Sequence, residues 1–332
     1  MKKSILIFVL FFIAGQLFAQ TDSISVLNKY CIPHIKGIPI GKGFSIDYEN
    51  QPNYSIETID KTGLFGDSKT EIKTNTRLKI KAKIPILNKP YLTILGGLKY
   101  SFEEYHFQNN SGKNPLYTGL EDKGLKTIGT DLLIIKPTKS KNYWLLRIKA
   151  DFNGDYDGNF VQSEYLKFSI SPAWGRKVSD NFTYALGLSY NYRFGSPLIL
   201  PIISFNKNLN TKWDIESILP VFVKVRYKYN DGLHWINTID LDGASYKINS
   251  LDSSLPGYSN IHLHRSDIRF TTRIEKKLTG WFWLAADLGL NQNLVYNVTN
   301  SNRARNEVLF ENNLKTGFLF NFSIFISPHL KY

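Results

Sequence analysis

The amino-acid sequence predicts an all-β fold: a transmembrane antiparallel up-and-down β-barrel of about twelve strands, with fourteen as the alternative. Three observations predict it. Apolar and polar residues alternate with period two in runs longer than the ~5–6 residues usual for soluble strands. The links between runs are alternately short turns and longer Gly/Asn/Asp-rich stretches. Aromatic residues gather near both ends of the runs, at the depth where lipid headgroups would lie. A tilted strand needs ~9–11 residues to cross a bilayer, and barrels pair short turns at one rim with long loops at the other. A soluble sandwich also alternates, but it explains neither the run lengths nor the two aromatic zones.

Residues 1–19 read as a secretory signal peptide. Lys2 and Lys3 open it, Ser4 to Ile13 is almost wholly apolar, and Ala14 to Ala19 is small and apolar, with cleavage after Ala19. Leu17 at the −3 position departs from the usual small residue. The apolar run is too short for a membrane anchor across ~30 Å of hydrocarbon. Cys31 lies too far beyond it for lipid attachment, and as the single cysteine it excludes an internal disulfide or a Cys-based metal site. Residues 20–332 then form one barrel domain, with no internal boundary or repeat. A 332-residue chain with 42% hydrophobic residues and 19 Tyr, 22 Phe and 6 Trp can bury a large core, which excludes disorder. No later run of eighteen apolar residues marks a transmembrane helix. Loss of the two leader lysines leaves 39 basic and 28 acidic residues, a formal charge of +11. Such a balance suits anionic partners, and export removes nucleic acid from among them.

Taken in order, strands are expected near 43–57, 69–86, 91–107, 125–136, 143–153, 162–175, 182–195, 198–206, 212–229, 266–275, 281–296 and 314–326. Phe182 to Phe194 is the clearest, with apolar residues at every even position against Thr183, Ala185, Gly187, Ser189, Asn191 and Arg193. Trp213 to Tyr229 repeats the pattern, with Pro220 inside it at the cost of a ladder hydrogen bond. An even count places both termini at the short-turn rim. Residues 230–265 are expected as one long outer loop, and fourteen strands result if its hairpin Trp235–Ile248 joins the wall. Tyr91, Trp144, Trp174, Trp213 and Trp281 or Trp283 mark the short-turn rim. Phe102, Tyr105, Tyr192, Phe194, Tyr229 and Tyr296 mark the other.

If the apolar faces meet lipid, the opposite faces meet the lumen. Lys79, Lys81, Lys83, Arg147, Lys149, Arg193, Lys224, Arg226, Arg269 and Arg273 are the principal inward candidates, with Lys73 and Arg77 beside them and fewer acids opposed. A cationic lumen would pass or bind small anionic or polar solutes. The competing reading is a salt-bridged, closed interior. Asn153, Asp155, Asp157 and Glu164 have calcium-loop spacing, with Gly158 at the turn, but Asn stands first and no helices flank them. His262 and His264, with His234, could bind zinc only if the fold gathers them. Catalytic signatures are missing: no Gly-x-Ser-x-Gly elbow, no His-Glu-x-x-His, no phosphate loop. Glu103 and Glu104 are adjacent on a strand, so they point apart. The expected protein is a non-enzymatic structural or narrow-pore barrel, requiring no cofactor. The alternative is a barrel that binds a surface ligand or partner through 230–265.

Several stretches carry a resemblance: Phe18-Ala19-Gln20, Gly43-Phe44-Ser45-Ile46-Asp47-Tyr48, Gly243-Ala244-Ser245-Tyr246-Lys247-Ile248, and Asp267-Ile268-Arg269 leading to Gly280-Trp281-Phe282-Trp283-Leu284. Together they resemble a family of exported β-barrel proteins of Gram-negative outer membranes that carries only an uncharacterised-domain label. The resemblance covers nearly all of the mature chain. It implies an outer-membrane location, contact with outer-membrane lipid and the barrel-insertion machinery, and no assigned catalytic residues. Tyr332 is similar to the terminal aromatic of insertion signals, while Pro328 and His329 depart from an alternating last strand.

Overall fold

Period-two alternation becomes a continuous wall. The computed structural model describes residue 35 and residues 41–108 and 114–327, so the signal peptide, Cys31 and Tyr332 lie outside the described residues. In chain order the elements are β1 (Phe44–Asp60), β2 (Ser68–Lys89), β3 (Leu92–Phe107), α1 (Pro115–Lys123), β4 (Leu125–Pro137), β5 (Asn142–Gly154), β6 (Leu166–Ser179), β7 (Phe182–Asn191), β8 (Leu198–Asn208), β9 (Trp213–Leu219), β10 (Phe222–Asn230), β11 (Leu233–Lys247), β12 (His262–Thr279), β13 (Phe282–Thr299), β14 (Val308–Leu314) and β15 (Gly317–Ile326). Each strand from β1 to β13 pairs antiparallel with the next. β14 and β15 are the two halves of one wall strand, interrupted at Lys315–Thr316. β1 closes the ring against both, with Ile56 opposite Leu314 and Phe44 opposite Ile326. The result is a closed transmembrane barrel of fourteen strands.

The fourteen-strand alternative holds, and twelve is corrected at two places. The run 212–229 is a hairpin, β9–β10, turning at Leu219-Pro220-Val221. Ile218 pairs with Phe222 across three turn residues, so the odd-numbered apolar side chains stay outward on both strands and the alternation runs through the turn without a break. Pro220 sits where no ladder N–H is required. Residues 230–265 are not one loop either: β11 is a wall strand paired along its length with β12, and only 248–261 lie beyond it.

Outside, Phe44, Ile46 and Tyr48 on β1, Leu288 and Leu290 on β13, and Phe318, Phe320, Phe322 and Ile324 on β15 form an exposed apolar belt. Moving such a side chain out of water is worth ~1.5–3 kcal/mol, so a bilayer is the solvent this belt requires. Tyr91, Trp144 and Trp281 are exposed at the turn end, as the girdle reading expects. Three other aromatics depart from it. Tyr105 and Tyr296 face inward, and Tyr229 stands at the turn end because β10 runs toward it.

At the loop end the interior becomes apolar because bulges exchange the faces. Asn53 adopts a positive φ of 50°, after which Tyr54 and Ile56 point inward. A register shift in β13 near Leu294 does the same for Tyr296 and Val298. Helix α1 adds Leu116, Tyr117 and Leu120 to this core. Asn114 caps it by accepting the Leu116 N–H at 3.0 Å, and Gly124, at φ 61°, ends it. Leu251, Leu255 and Ile261 come down from residues 248–261 and are fully buried there.

β9 and β10 are short, so the wall is low beside them. Above them the ends of β5 and β11 meet directly, Gly154 pairing with Lys247. The tops of β6 and β7 then overlap the outer face of β11–β12 as a lapped seam. Lys167, on the inward face of β6, meets the outward-facing His262 of β12 at 3.2 Å. The segment after β7 follows the same face, with the Arg193 carbonyl accepting from Ser266 Oγ at 3.1 Å.

Candidate functional site in the barrel lumen

The strand register sorts the lumen into tiers. An apolar row starts near the turn end on β4 and β5 and crosses the middle of β6 to β8. Ile135, Leu145, Ala173, Gly187 and Ile202 lie in one row across β4 to β8, all facing inward. In the adjoining row Ile218 and Phe222 flank the loop-end turn of the β9–β10 hairpin, so the apolar rows rise obliquely across the wall. The ring of Tyr143 lies flat against the wall over Gly175, where any Cβ would collide with it, and its hydroxyl contacts Thr183 Oγ1 at 3.0 Å. That arrangement keeps a large ring out of the chamber.

Four residues further along these strands comes a basic tier. Lys83, Gly97, Asp131, Lys149 and Ser169 form one row, and Lys81, Lys99, Gly129, Asp151 and Lys167 the next. Arg147 pairs with Asp131, and Lys99 with Asp151 at 3.0 Å. Among the described residues no carboxylate is in ion-pair contact with Lys81, Lys83 or Lys149. Lys81 and Lys83 are exposed although they lie on the inward face of their strand, so water reaches this part of the lumen.

Above the basic tier the lumen is crossed by a lattice of buried charges. Glu103 accepts from Arg77 Nε at 2.9 Å and from Arg265 Nη1 at 2.6 Å. Arg77 also reaches Asp242 at 2.7 Å and Glu49 at 3.4 Å, and Arg269 joins Glu49 at 3.2 Å and Asp242 at 3.3 Å. Five strands far apart in sequence are thereby tied together. The apolar core with α1 lies above. The straight path from the turn end to the loop end is closed by both layers.

The sequence-derived candidates divide accordingly. Lys79 pairs with Glu49 at 3.0 Å, Lys224 with Glu216 at 2.9 Å, Arg226 with Asp214 at 3.0 Å, Arg269 with Asp240 at 2.7 Å and Arg273 with Asp287 at 3.0 Å. Arg193 donates to the Leu241 carbonyl at 2.8 Å, beside the seam. Lys73 is exposed, beyond a register shift in β2, and takes no part in the lumen lattice. Sequence reasoning missed Glu49, Asp240, Asp242 and Arg265. Glu49 was legible on the face of Ser45 and Asp47, whereas Asp240, Asp242 and Arg265 fell within the supposed loop.

The calcium-like residues do not converge. Asn153 Nδ2 donates to the Ser245 carbonyl at 3.2 Å, and Asp155 accepts the Asn249 and Ser250 N–H groups at 2.8 Å each. Asp157 pairs with Lys123 and Lys126, and Glu164 is exposed. Together they order the loop 155–165 against 249–250. Burial there pushes the Tyr156 and Tyr165 hydroxyls above their ordinary range, so both remain neutral, Tyr156 donating to the Phe152 carbonyl and Tyr165 accepting from Asn249 Nδ2. Of the histidines, His262 and His264 stand together, with ring centroids 6.0 Å apart, but His234 is remote from them. His264 contacts Thr299 Oγ1 at 2.9 Å, whereas His234 stands at the turn end against the Trp283 ring. Among the described residues no group of three potential metal ligands gathers.

A family model described as "Domain of unknown function (DUF6268)" matches residues 16–327. Among curated proteins nothing matches. Solved structures of similar shape include an outer membrane channel from Pseudomonas putida F1, at 12% identity over 92% of this chain and 99% of that one, with a TM-score of 0.41. A Pseudomonas aeruginosa FadL homologue matches at 10% identity over 87% and 91%, with a TM-score of 0.40. The KdgM porin in complex with disordered oligogalacturonate matches at 8% identity over 86% and 99%, with a TM-score of 0.34.

Proposed function

The chain belongs to the DUF6268 family, and from its geometry we propose a non-enzymatic outer-membrane barrel whose turn-end chamber faces the periplasm and admits small anionic or polar solutes, with the loop end closed in the conformer described. The observation that carries this reading is the set of three lumenal lysines, Lys81, Lys83 and Lys149, with no carboxylate in ion-pair contact among the described residues, two of them exposed. An unpaired ammonium group away from water is costly, so these groups are hydrated and offer binding to anions. Export by the leader, a lipid-facing belt and aromatic turn-end residues support the outer-membrane location. Outer-membrane lipid and the insertion machinery are the expected partners. The reading of 230–265 as a docking arm is weakened by the burial of Leu251, Leu255 and Ile261 in the core.

Planar-bilayer recording tests the proposal. The barrel is expected to give small conductance steps that favour chloride over potassium. Replacing Lys83 and Lys149 together by glutamine is expected to abolish that preference. Cation preference in the unmodified barrel would overturn the reading, as would silence from it.

A further inference from the structure

The outer face of the turn-end rim carries cations in a regular order. Lys136 on β4, Arg176 on β6, Lys207 on β8 and Lys276 on β12 are all exposed, on the same strand faces as Ile134, Trp174, Phe205 and Ile274. Their register fixes their depth. Lys136, Trp144 and Trp174 lie in one row across β4 to β6, and Arg176 is two residues nearer the turn. Arg176, Tyr184 and Phe205 lie in the next row, and Lys207 is again two residues nearer the turn. Each step is two strands sideways, about 10 Å, and two residues toward the turn, about 7 Å. That slope is about 35°, the tilt of strands in a membrane barrel, so the step cancels the tilt and the cations stand at one depth. The same step continues round the wall. It leads from Lys207 through Ile215 and Val225 to Tyr227, over whose ring Lys212 holds its ammonium at 5.9 Å. From Tyr227 it leads through Trp235 and Ile274 to Lys276. Every second strand from β4 to β12 thus brings a cation to the rim, and the strands between bring Trp144, Phe182, Trp213 and Trp235.

Acids are scarce beside this collar. Among the described residues no carboxylate is in ion-pair contact with any of its five cations. The turns below hold two acids: Asp180, already bound to Lys177 at 3.1 Å, and Asp231. At the loop end charges of both signs meet instead, Lys69 pairing with Glu57 and Lys61 with Glu311 at 3.3 Å. We propose that the collar binds the headgroups of anionic phospholipids in the leaflet at the turn end, each phosphate held by an ammonium or guanidinium group between aromatic neighbours. Long basic side chains reach from an apolar wall to the headgroup layer, and aromatic rings settle at the same level. An anionic headgroup gains a charge-assisted contact there, whereas a zwitterionic one carries its own counter-charge. The inference rests on the bilayer reading of the apolar belt and is independent of what the lumen admits.

Trp144, Trp174, Trp213, Trp235 and Trp281 stand at this rim, so quenching of tryptophan emission by brominated lipid reports on it directly. The mature barrel is folded into phosphatidylcholine vesicles, and phosphatidylglycerol or phosphatidylcholine brominated near the head of its acyl chains is titrated in. Phosphatidylglycerol is expected to be favoured about fivefold over its mole fraction, the effect of one basic residue at an anionic surface. Salt at ~1 M, where the Debye length is ~3 Å, is expected to remove most of that preference. Glutamine at Lys136, Arg176, Lys207, Lys212 and Lys276 together is expected to at least halve it, with heat-modified gel mobility confirming the fold. K61Q/K69Q/K315Q, at the loop end, is expected to keep it. Equal quenching by the two lipids in the unmodified barrel, or full preference in the form with five glutamines, would overturn the proposal. Equal quenching in a barrel that conducts anions defeats this inference alone. Preference for phosphatidylglycerol in a barrel that never conducts defeats the pore reading alone.

Discussion

Glu103→Ala is expected to lower barrel stability by about 3–5 kcal/mol, the range for removing one partner of a buried charge network. Glu103 is 2% exposed, and Arg77 and Arg265 are 4% exposed. Besides the two guanidinium groups it accepts from Asn75 Nδ2 at 3.0 Å and from the Tyr105 hydroxyl at 2.7 Å. Without its carboxylate, two buried guanidinium groups share a space in which Asp242 becomes the main remaining counter-charge. Truncation therefore costs far more than the net worth of the ion pairs. Glu103→Gln keeps the shape and the Tyr105 bond and is expected to cost less. Urea titration in lipid vesicles, followed by tryptophan fluorescence, measures both. Unchanged stability would show that the lattice is looser than its distances describe.

Phe320→Arg is expected to cost about 2–4 kcal/mol and to depress insertion, because a cation at the bilayer midplane is paid for at that level. Phe320 pairs with Leu288 across β15 and β13, and the two are 47% and 49% exposed at the centre of the belt. Leu288→Arg is expected to behave alike. Asn321→Arg, one residue on, turns inward beside Asp287 and is expected to be nearly neutral. Folding yield into vesicles separates the two cases. Equal tolerance at 320 and 321 would mean that both faces meet water.

The wall was legible because each strand separates apolar from polar residues at a fixed period, and lipid and lumen are separate solvents. The two missed strands failed for a physical reason. The three-residue turn at Leu219-Pro220-Val221 preserves parity, so alternation cannot reveal it, and β11 mixes Ile236, Asp240, Asp242 and Ala244 on its inward face. The loop-end core was hidden by bulges: nothing in the spacing of Tyr54 or Tyr296 states that Asn53 and Leu294 exchange the faces before them. The basic lumen was legible as a set of residues, but its pairing was not. Arg265 and Glu103 are separated by 162 positions and meet only after the barrel closes. Which lysines keep no acid, and so which ones form the chamber, depends on that closure.

The central claim is that hydrocarbon and water lie on opposite faces of one continuous wall. Nitroxide labels placed singly from Phe282 to Asn291, in a Cys31→Ser background in bilayers, measure it directly. Accessibility to oxygen is expected to peak at the even positions, including Leu284, Leu288 and Leu290, and accessibility to a nickel chelate at the odd ones, including Asp287 and Gly289. Both reagents reaching even and odd positions equally would contradict the account.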